Sequence, residues 1–206
     1  MGLEQSKNDS NLYIAKDFHL LLLLYVDDIL IVSKSHHRIE ETKQHLRNRY
    51  QMNDLGIARK FLGLEIERSN DSLRLHQTRF IKTVLQWFGM TESNGVSTPM
   101  ETGRRLLSAG EADELVEPGE YQSLIGSLMY LVVGTRPDLV FAVASLSKFN
   151  AKPTNNHLLA AKCLLRYLRQ TINLALVYNR NYQPDMIGYT DSDVAGEMGA
   201  RKSTSG

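Results

Sequence analysis

The sequence predicts an α+β protein, and three observations favour this fold class. The first hundred residues contain two pairs of short apolar runs, and a polar turn joins each pair, which is typical of β-hairpins. The second half contains three predicted helices: an apolar segment, a segment that a proline opens, and a segment with apolar residues at helical spacing. Two further apolar runs, residues 174–178 and 186–190, are typical of strands. The chain is therefore expected to combine hairpins with packed helices.

The first half alternates hairpins and helices. Asp27 and Asp28 separate two leucine- and isoleucine-rich runs and are expected to form a tight hairpin turn. The helix that ends this half should stop at Gly89, because glycine adopts the left-handed conformation that often terminates helices. The predicted elements are, in order, strands 20–26 and 29–33, a polar helix 33–50, strands 60–68 and 73–76 joined at residues 69–71, and a helix ending at residue 88.

The second half begins with an acidic, solvated linker and continues with helices. Residues 111–120 carry five carboxylates and no basic residue, and Gly110, Pro118 and Gly119 interrupt any regular structure. Residues 121–133 then predict an apolar helix, Pro137 opens a second one, and Thr154 starts a third.

Composition excludes several classes of protein. A length of 206 residues fits one large domain or two small ones, and 42% hydrophobic with 23% charged residues is ordinary for a globular chain. With 24 basic and 23 acidic residues the net charge is only +1, so contacts to nucleic acid would need local basic patches. The single Cys163 excludes a disulfide framework and favours an intracellular protein. Two carboxylates interrupt the longest apolar run, so no membrane span is expected.

The Asp27–Asp28 pair is the strongest candidate for a functional site in the sequence. Adjacent carboxylates repel one another, and a pair of divalent cations would compensate their charge. Magnesium fits such a site because it accepts carboxylate oxygens while keeping water and phosphate ligands. Aspartate is also a common turn residue, so a plain hairpin turn explains the same pattern. The local sequence leaves both interpretations open.

A series of motifs resembles the reverse transcriptase of copia-type LTR retrotransposons. Each motif is short, but their order and spacing along the whole chain are specific. The motifs are Gly2 with Gln5-Ser6-Lys7, Tyr25-Val26-Asp27-Asp28-Ile29-Leu30-Ile31-Val32, Met52-Asn53-Asp54-Leu55-Gly56, Phe61-Leu62-Gly63-Leu64-Glu65-Ile66, Phe88-Gly89-Met90, Val96-Ser97-Thr98-Pro99-Met100, Gly126-Ser127-Leu128-Met129-Tyr130-Leu131, Thr135-Arg136-Pro137-Asp138, Leu165-Arg166-Tyr167-Leu168, Gly188-Tyr189-Thr190-Asp191-Ser192-Asp193 and Arg201-Lys202-Ser203-Thr204-Ser205-Gly206.

The resemblance assigns roles to individual residues. Asp27 and Asp28 match the adjacent metal-binding aspartates of the polymerase palm, which hold two Mg²⁺ ions in the complete site. Tyr25 would lie near the primer end, and the hairpin with Phe61, Leu62 and Gly63 would contact the primer. Gly63 in that hairpin would allow a close approach to the backbone. Asp191 matches the first metal-binding carboxylate of an RNase H domain.

The same resemblance implies the domain organisation. Residues 1–100 correspond to the C-terminal part of the palm and the start of the thumb. Residues 101–180 correspond to the acidic linker and thumb- or connection-like helices, and residues 181–206 to the first strands of an RNase H-like domain. In the family a third palm aspartate and the fingers lie upstream, and further RNase H carboxylates lie downstream, so the sequence is expected to be a fragment or decayed copy of a longer polyprotein.

The implied function is RNA-directed DNA polymerisation, with an RNA template, a DNA primer and dNTPs as partners and no membrane. The family implies a cytoplasmic particle or the nucleus as location, and the oligomeric state is not predicted. This chain alone is expected to be inactive, because the third aspartate and the fingers are absent from it. The alternative is a non-catalytic remnant that at most binds nucleic acid or an intact polymerase.

Three further features have two interpretations each. The basic faces of residues 34–49 and of Lys162, Arg166 and Arg169 could follow a phosphate backbone or simply be solvated. Trp87 and Phe88 continue a helical apolar pattern and are expected in the core rather than in a base-stacking surface. His36, His37 and His45 are expected to be solvated rather than metal ligands.

Overall fold

The computed structural model describes residues 2–101, 106–110, 113–181 and 188, together with the backbone of two short strands at 192–193 and 204–205. These residues form a mixed α/β structure with two four-stranded sheets and five α-helices. The chain divides into two compact units, residues 1–61 and residues 62–206. Ser192–Asp193 and Thr204–Ser205 pair as β9 and β10 of a separate two-stranded ladder. Across the described residues, no helix has both the length and the apolar character needed to cross a membrane.

The first unit is an antiparallel sheet followed by a helix. Its strands are β1 (Leu3–Gln5), β2 (Leu12–Ala15), β3 (Leu20–Tyr25) and β4 (Asp28–Ser33), and each strand pairs with the next along the chain. Helix α1 (His36–Arg47) follows, and the Ser35 side chain accepts a hydrogen bond from the Arg38 amide at its first turn. The sheet buries Ala15, Leu20 and Leu22, so alternate leucines of β3 face its core.

The strand β5 (Lys60–Phe61) leads into the second sheet, whose strand order is β5–β6–β7–β8. Strands β6 (Leu64–Arg68) and β7 (Ser72–His76) form a hairpin in which the Ser69 and Ser72 hydroxyls lie 2.9 Å apart. The turn at residues 69–71 is therefore where the sequence predicts it. Strand β8 (Leu176–Asn179) returns from the far end of the chain to pair with β7.

The core of the second unit is built by helices. Helices α2 (Thr78–Trp87), α3 (Pro118–Gly134), α4 (Val140–Ser147) and α5 (Asn155–Gln170) enclose it, and a 3₁₀ turn at Pro137–Leu139 precedes α4. Its most buried apolar side chains come from all four helices and are Val84, Leu124, Leu128, Leu131, Val143, Leu146, Leu164, Leu165 and Leu168. Helical spacing predicted α2 and α5, apolar composition predicted α3, and Pro137 predicted α4. Helix α3 begins at Pro118, within the segment expected to be a linker, because proline is tolerated in the first turn of a helix.

Several element boundaries differ from the sequence-based predictions. The helix expected at residues 33–50 is shorter, because Ser35 caps it and the chain leaves the helix after Arg47. Gly89 ends α2 as predicted, with a φ of 64° and a hydrogen bond from the Met90 amide to the Leu85 carbonyl. Strands β1 and β2 were not predicted. The strand expected at residues 186–190 lies outside the described residues, except for Gly188, which is not in a strand.

Candidate functional site

The two adjacent aspartates lie at the tip of the hairpin formed by β3 and β4. Tyr25 is paired with Asp28 in this ladder, so Val26 and Asp27 form a two-residue turn. Asp27 is thus in the turn, whereas Asp28 is the first residue of β4. The predicted hairpin is confirmed, with its turn displaced by one residue toward the N-terminus.

The turn is strained next to these carboxylates. Val26 has a φ of 52°, a left-handed conformation that β-branched residues rarely adopt. This conformation costs about 1–2 kcal/mol for a residue with a side chain. The Val26 side chain is 87% exposed, so no packing of the side chain offsets this cost. Backbone strain of this kind is found most often at functional sites.

Solvent reaches the whole tip of the hairpin. Tyr25, Asp27 and Asp28 are all exposed. Four cations of the first unit are paired with other carboxylates: Lys16 with Glu4, Arg38 with Asp17, and both Lys43 and Arg47 with Asp54. Among the described residues, no group of three His, Cys, Asp or Glu side chains is placed to hold a metal ion. The described site therefore consists of two exposed carboxylates, and both earlier interpretations, metal ligand and plain turn, agree with this geometry.

The strand that carries Asp28 lies at the edge of its sheet. In the strand order β1–β2–β3–β4, strand β4 has β3 on one side and no strand on the other among the residues that the structure describes. Its outer N–H and C=O groups are therefore available to a further strand. A segment that paired there would lie directly beside Asp28.

A second tight turn lies in the segment that, by the resemblance, is expected to contact the primer. Leu62 and Gly63 both have positive φ, 50° and 81°, and connect β5 to β6. Two consecutive left-handed residues are typical of the two-residue turns that match strand twist. Phe61 is half-buried at the end of β5, and Leu62 is 39% exposed.

The close approach that Gly63 indicates is made by an aromatic side chain. The Tyr130 hydroxyl of α3 donates a hydrogen bond of 3.3 Å to the Leu62 carbonyl oxygen. A Cβ atom on Gly63 would lie only 2.0 Å from the same hydroxyl. The Tyr130 ring also packs edge-on against Phe80, with 4.8 Å between ring centroids. Sequence reasoning gave Tyr130 no role, because a contact across 67 residues leaves no local signal beyond the glycine itself.

The glutamate of the same motif holds the start of α2. A Glu65 carboxylate oxygen accepts a 2.8 Å hydrogen bond from the Arg79 backbone amide in the first turn of that helix. The other oxygen lies 3.2 Å from the Arg79 side chain. A carboxylate at a helix N-terminus satisfies an otherwise unpaired amide and interacts favourably with the helix dipole. Glu65 therefore ties β6 to α2.

Two of the sequence motifs meet in a buried polar network. The Arg136 guanidinium, only 1% exposed, donates to both carboxylate oxygens of Asp138 at 2.9 and 2.7 Å. It also donates to the Thr171 hydroxyl at 2.8 Å, and the Tyr167 hydroxyl donates to Asp138 at 3.0 Å. Burial alone would raise the pKa of the Asp138 carboxyl, but the Arg136 hydrogen bonds and charge outweigh it and lower that pKa. These motif residues fix the α3–α4 connection against α5.

Two basic residues of α5, Arg166 and Arg169, bind the protein's own backbone. Arg166 donates through Nε to the Asn94 carbonyl at 2.7 Å, and Arg169 donates through Nε to the Thr91 carbonyl at 2.6 Å. Together they hold the loop that follows α2. Neither interpretation from the sequence, a phosphate contact or a freely solvated face, anticipated this role.

The predicted core position of Trp87 is wrong, and the predicted role of Asp191 stays a prediction. The Trp87 side chain is 63% exposed, so it is a surface residue and not part of the core. It touches Phe80 edge-on at 6.2 Å. The helical pattern gave the wrong prediction because Trp87 is the last residue of α2, where the buried face of the helix ends. Asp191 lies outside the described residues.

Comparison with known proteins identifies the class of protein. Residues 1–102 match the model of a family described as reverse transcriptase (RNA-dependent DNA polymerase). The chain is 40% identical, over 91% of its length, to the Retrovirus-related Pol polyprotein from transposon TNT 1-94 of Nicotiana tabacum. It is 35% identical over its whole length to the corresponding polyprotein from transposon RE1 of Arabidopsis thaliana. It belongs to the reverse transcriptase family.

More particularly, the chain is reverse-transcriptase-like and is similar to part of retrotransposon Pol polyproteins. It spans 14% of the length of each of those two polyproteins. It is also 33% identical, over 91% of its length, to an uncharacterized mitochondrial protein of Arabidopsis thaliana, of which it covers 77%. No solved structure matches the chain.

Proposed function

We propose that Asp27 and Asp28 are two of the metal-binding carboxylates of an RNA-directed DNA polymerase site that uses two Mg²⁺ ions. The observation that carries this proposal is the strained two-residue turn, which presents both carboxylates at an exposed hairpin tip. A two-residue hairpin turn commonly contains a left-handed residue, and glycine usually occupies that position. Here the exposed Val26 occupies it and is strained beside two adjacent carboxylates, and strain of this kind clusters at functional sites.

The donor set fits the metal. Magnesium takes oxygen ligands and usually binds through one or two protein carboxylates together with water and substrate phosphates. Asp27 and Asp28 supply such oxygens, and neither pairs with a cation in the described part of the chain. Two divalent cations held there would activate the primer 3′-hydroxyl and stabilise the leaving phosphate oxygens.

The open edge of β4 suits completion of the site. The resemblance places a third palm aspartate on an upstream strand, and a strand paired with β4 would bring its side chains beside Asp28. Because positioning and charge stabilisation provide most of the catalysis in phosphoryl transfer, we propose that the 206-residue chain alone is inactive. The upstream segment would supply the missing carboxylate and the dNTP-binding fingers.

Two surfaces are proposed to contact the template and primer. Tyr25 lies exposed beside the aspartates and would approach the primer terminus. In the second unit, the turn after Phe61, formed by Leu62 and Gly63, would contact the primer strand. Helix α2 supports this assignment, because it contains no acidic residue and exposes Lys82 and Trp87. Exposed cations and aromatic rings are the side chains that bind phosphates and bases.

Asp191 is proposed as the first metal-binding carboxylate of an RNase H domain, as the resemblance implies. RNase H also uses two metal ions, so one aspartate would supply only part of its ligand set.

A primer-extension assay tests the polymerase proposal. The 206-residue chain is compared with the same chain joined to the upstream half of a related copia-type polymerase, using labelled dNTPs on an RNA template. We expect no extension by the chain alone and Mg²⁺-dependent extension by the joined protein. Asp27→Asn or Asp28→Asn in the joined protein should abolish extension, since each removes a charge that holds the metals.

Asp71→Asn is the matched control, because Asp71 is also an exposed aspartate in a hairpin turn. It should leave extension nearly unchanged. Extension by the chain alone would refute the proposed need for an upstream segment. A joined protein that is indifferent to Asp27→Asn and Asp28→Asn would refute the assignment of the site and favour the non-catalytic alternative.

A further inference from the structure

We propose that Tyr130 is a positioning residue for the primer, acting through the Leu62–Gly63 turn that it holds in place. This inference rests on the proposed contact between that turn and the primer. It adds a residue from helix α3 to the proposed primer contact of the second unit.

The contact geometry shows that Tyr130 and the turn are matched. The Tyr130 hydroxyl donates to the Leu62 carbonyl oxygen at 3.3 Å. It also fills the space where any Gly63 side chain would begin, because a Cβ atom there would lie 2.0 Å away. The turn therefore rests directly on the end of the tyrosine ring.

The tyrosine itself is held from the other side. Its ring packs edge-on against Phe80 of α2, whose ring contacts Trp87 in the same manner. Aromatic side chains have few rotatable bonds, so a packed ring is a rigid support. The Tyr130 hydroxyl thus fixes the position of the turn relative to helices α2 and α3.

Leu62 explains why a support is needed. Its φ of 50° is unfavourable for leucine, so without a partner the turn would relax toward other conformations. The hydrogen bond to its carbonyl stabilises the observed one. Since a displacement of about 1 Å can cost on the order of 100-fold in rate, a relaxed turn would misplace the primer end.

The first experiment measures binding to two RNA–DNA hybrids by fluorescence anisotropy, one with a recessed primer 3′-end and one blunt. Tyr130→Phe removes the hydroxyl and retains the ring against Phe80. We expect about fivefold weaker binding to the recessed hybrid, the value of one neutral hydrogen bond, and unchanged binding to the blunt hybrid. A merely structural role would weaken both equally. Tyr50→Phe is the control, because Tyr50 is also an exposed tyrosine, and it should change neither affinity.

The second experiment tests the contact independently of nucleic acid. Urea unfolding is measured for Gly63→Ala, Tyr130→Ala and the double variant. Gly63→Ala should lower the folding equilibrium constant about tenfold more in the wild-type background than in the Tyr130→Ala background, because only the former contains the clash. Additive effects would overturn the claim that Tyr130 supports the turn.

The outcomes separate this inference from the proposed function. If wild-type chain binds neither hybrid, the primer contact fails and this assignment fails with it. If wild-type chain prefers the recessed hybrid and Tyr130→Phe keeps that preference in full, only the role of Tyr130 is refuted.

Discussion

Removing the buried guanidinium of Arg136 should destabilise the second unit strongly. Arg136→Met keeps most of the side-chain volume and deletes the hydrogen bonds to Asp138 and Thr171. Breaking one side of a buried ion pair typically costs 3–5 kcal/mol, because the remaining charge stays desolvated. The Asp138 side chain is 33% exposed, and water can therefore solvate part of it after the change. We expect a loss of about 3 kcal/mol, the lower end of that range.

Urea unfolding followed by circular dichroism measures this loss. A loss of this size should also lower the melting temperature by roughly 10 °C. Arg68→Met is the control, because Arg68 is exposed at the end of β6, and it should change the unfolding free energy by less than about 0.5 kcal/mol. An unchanged unfolding midpoint in Arg136→Met would refute the view that this network holds the helices together.

The stabilisation by the Arg136–Asp138 pair should depend on pH. Because Arg136 lowers the pKa of Asp138 in the folded protein, the pair stabilises the fold above the ordinary carboxyl pKa of 3.8. That stabilisation is lost as the pH falls through the lower, folded-state pKa. The difference in unfolding free energy between wild-type and Arg136→Met should therefore shrink in acid, and a difference that grows there would contradict the argument.

Three further predictions concern other parts of the chain. Phe18 is 78% exposed at a φ of 55°, so Phe18→Asn should raise the unfolding free energy by about 0.5–1 kcal/mol in urea titrations; a decrease would mean that the ring has an unrecognised contact. His157 accepts a hydrogen bond from the Thr154 amide and contacts the Leu107 carbonyl, and burial lowers its pKa below 6.5. The stabilisation of the fold by neutral His157 should therefore be complete above about pH 6.5 and decline below it. Urea midpoints of wild-type and His157→Gln at pH 7.5 and 5.5 should therefore converge in acid, whereas a constant gap would refute this. In the proposed RNase H assignment Asp191 supplies only one carboxylate of a two-metal site, so the chain should not cleave the RNA of an RNA–DNA hybrid with Mg²⁺ or Mn²⁺. Cleavage that Asp191→Asn abolishes would contradict this expectation.

Local sequence patterns predicted the elements that depend on neighbouring residues in the chain. The hairpin at Asp27 follows from two apolar runs around a polar pair, and the end of α2 at Gly89 follows from glycine's freedom to adopt positive φ. Strand β1 was missed because Leu3–Gln5 is short and mostly exposed, so no apolar alternation marks it. Trp87 was misplaced because periodicity reports spacing but not where the neighbouring elements stop.

The contacts of the candidate site depend on distant parts of the chain, and the sequence could not supply them. Gly63 indicated a close approach, but only the structure identifies Tyr130 as the approaching group. Arg166 carried a basic charge that fitted a phosphate contact equally well, and its actual partner is the Asn94 carbonyl. Residue type states what a side chain can bind, whereas the fold decides which partner is within reach.

We propose that Asp27 binds a catalytic metal ion through its carboxylate oxygen. Replacing that oxygen ligand by a thiolate should change which metal supports activity, because thiolates bind soft ions and bind Mg²⁺ poorly. The measurement is the rate of primer extension by the joined protein carrying Asp27→Cys, with Mg²⁺ alone and with added Cd²⁺, and with Asp27→Asn in parallel. We predict no extension with Mg²⁺ alone and partial recovery with Cd²⁺ in Asp27→Cys only. Extension by Asp27→Cys at the wild-type rate with Mg²⁺ alone would contradict the account.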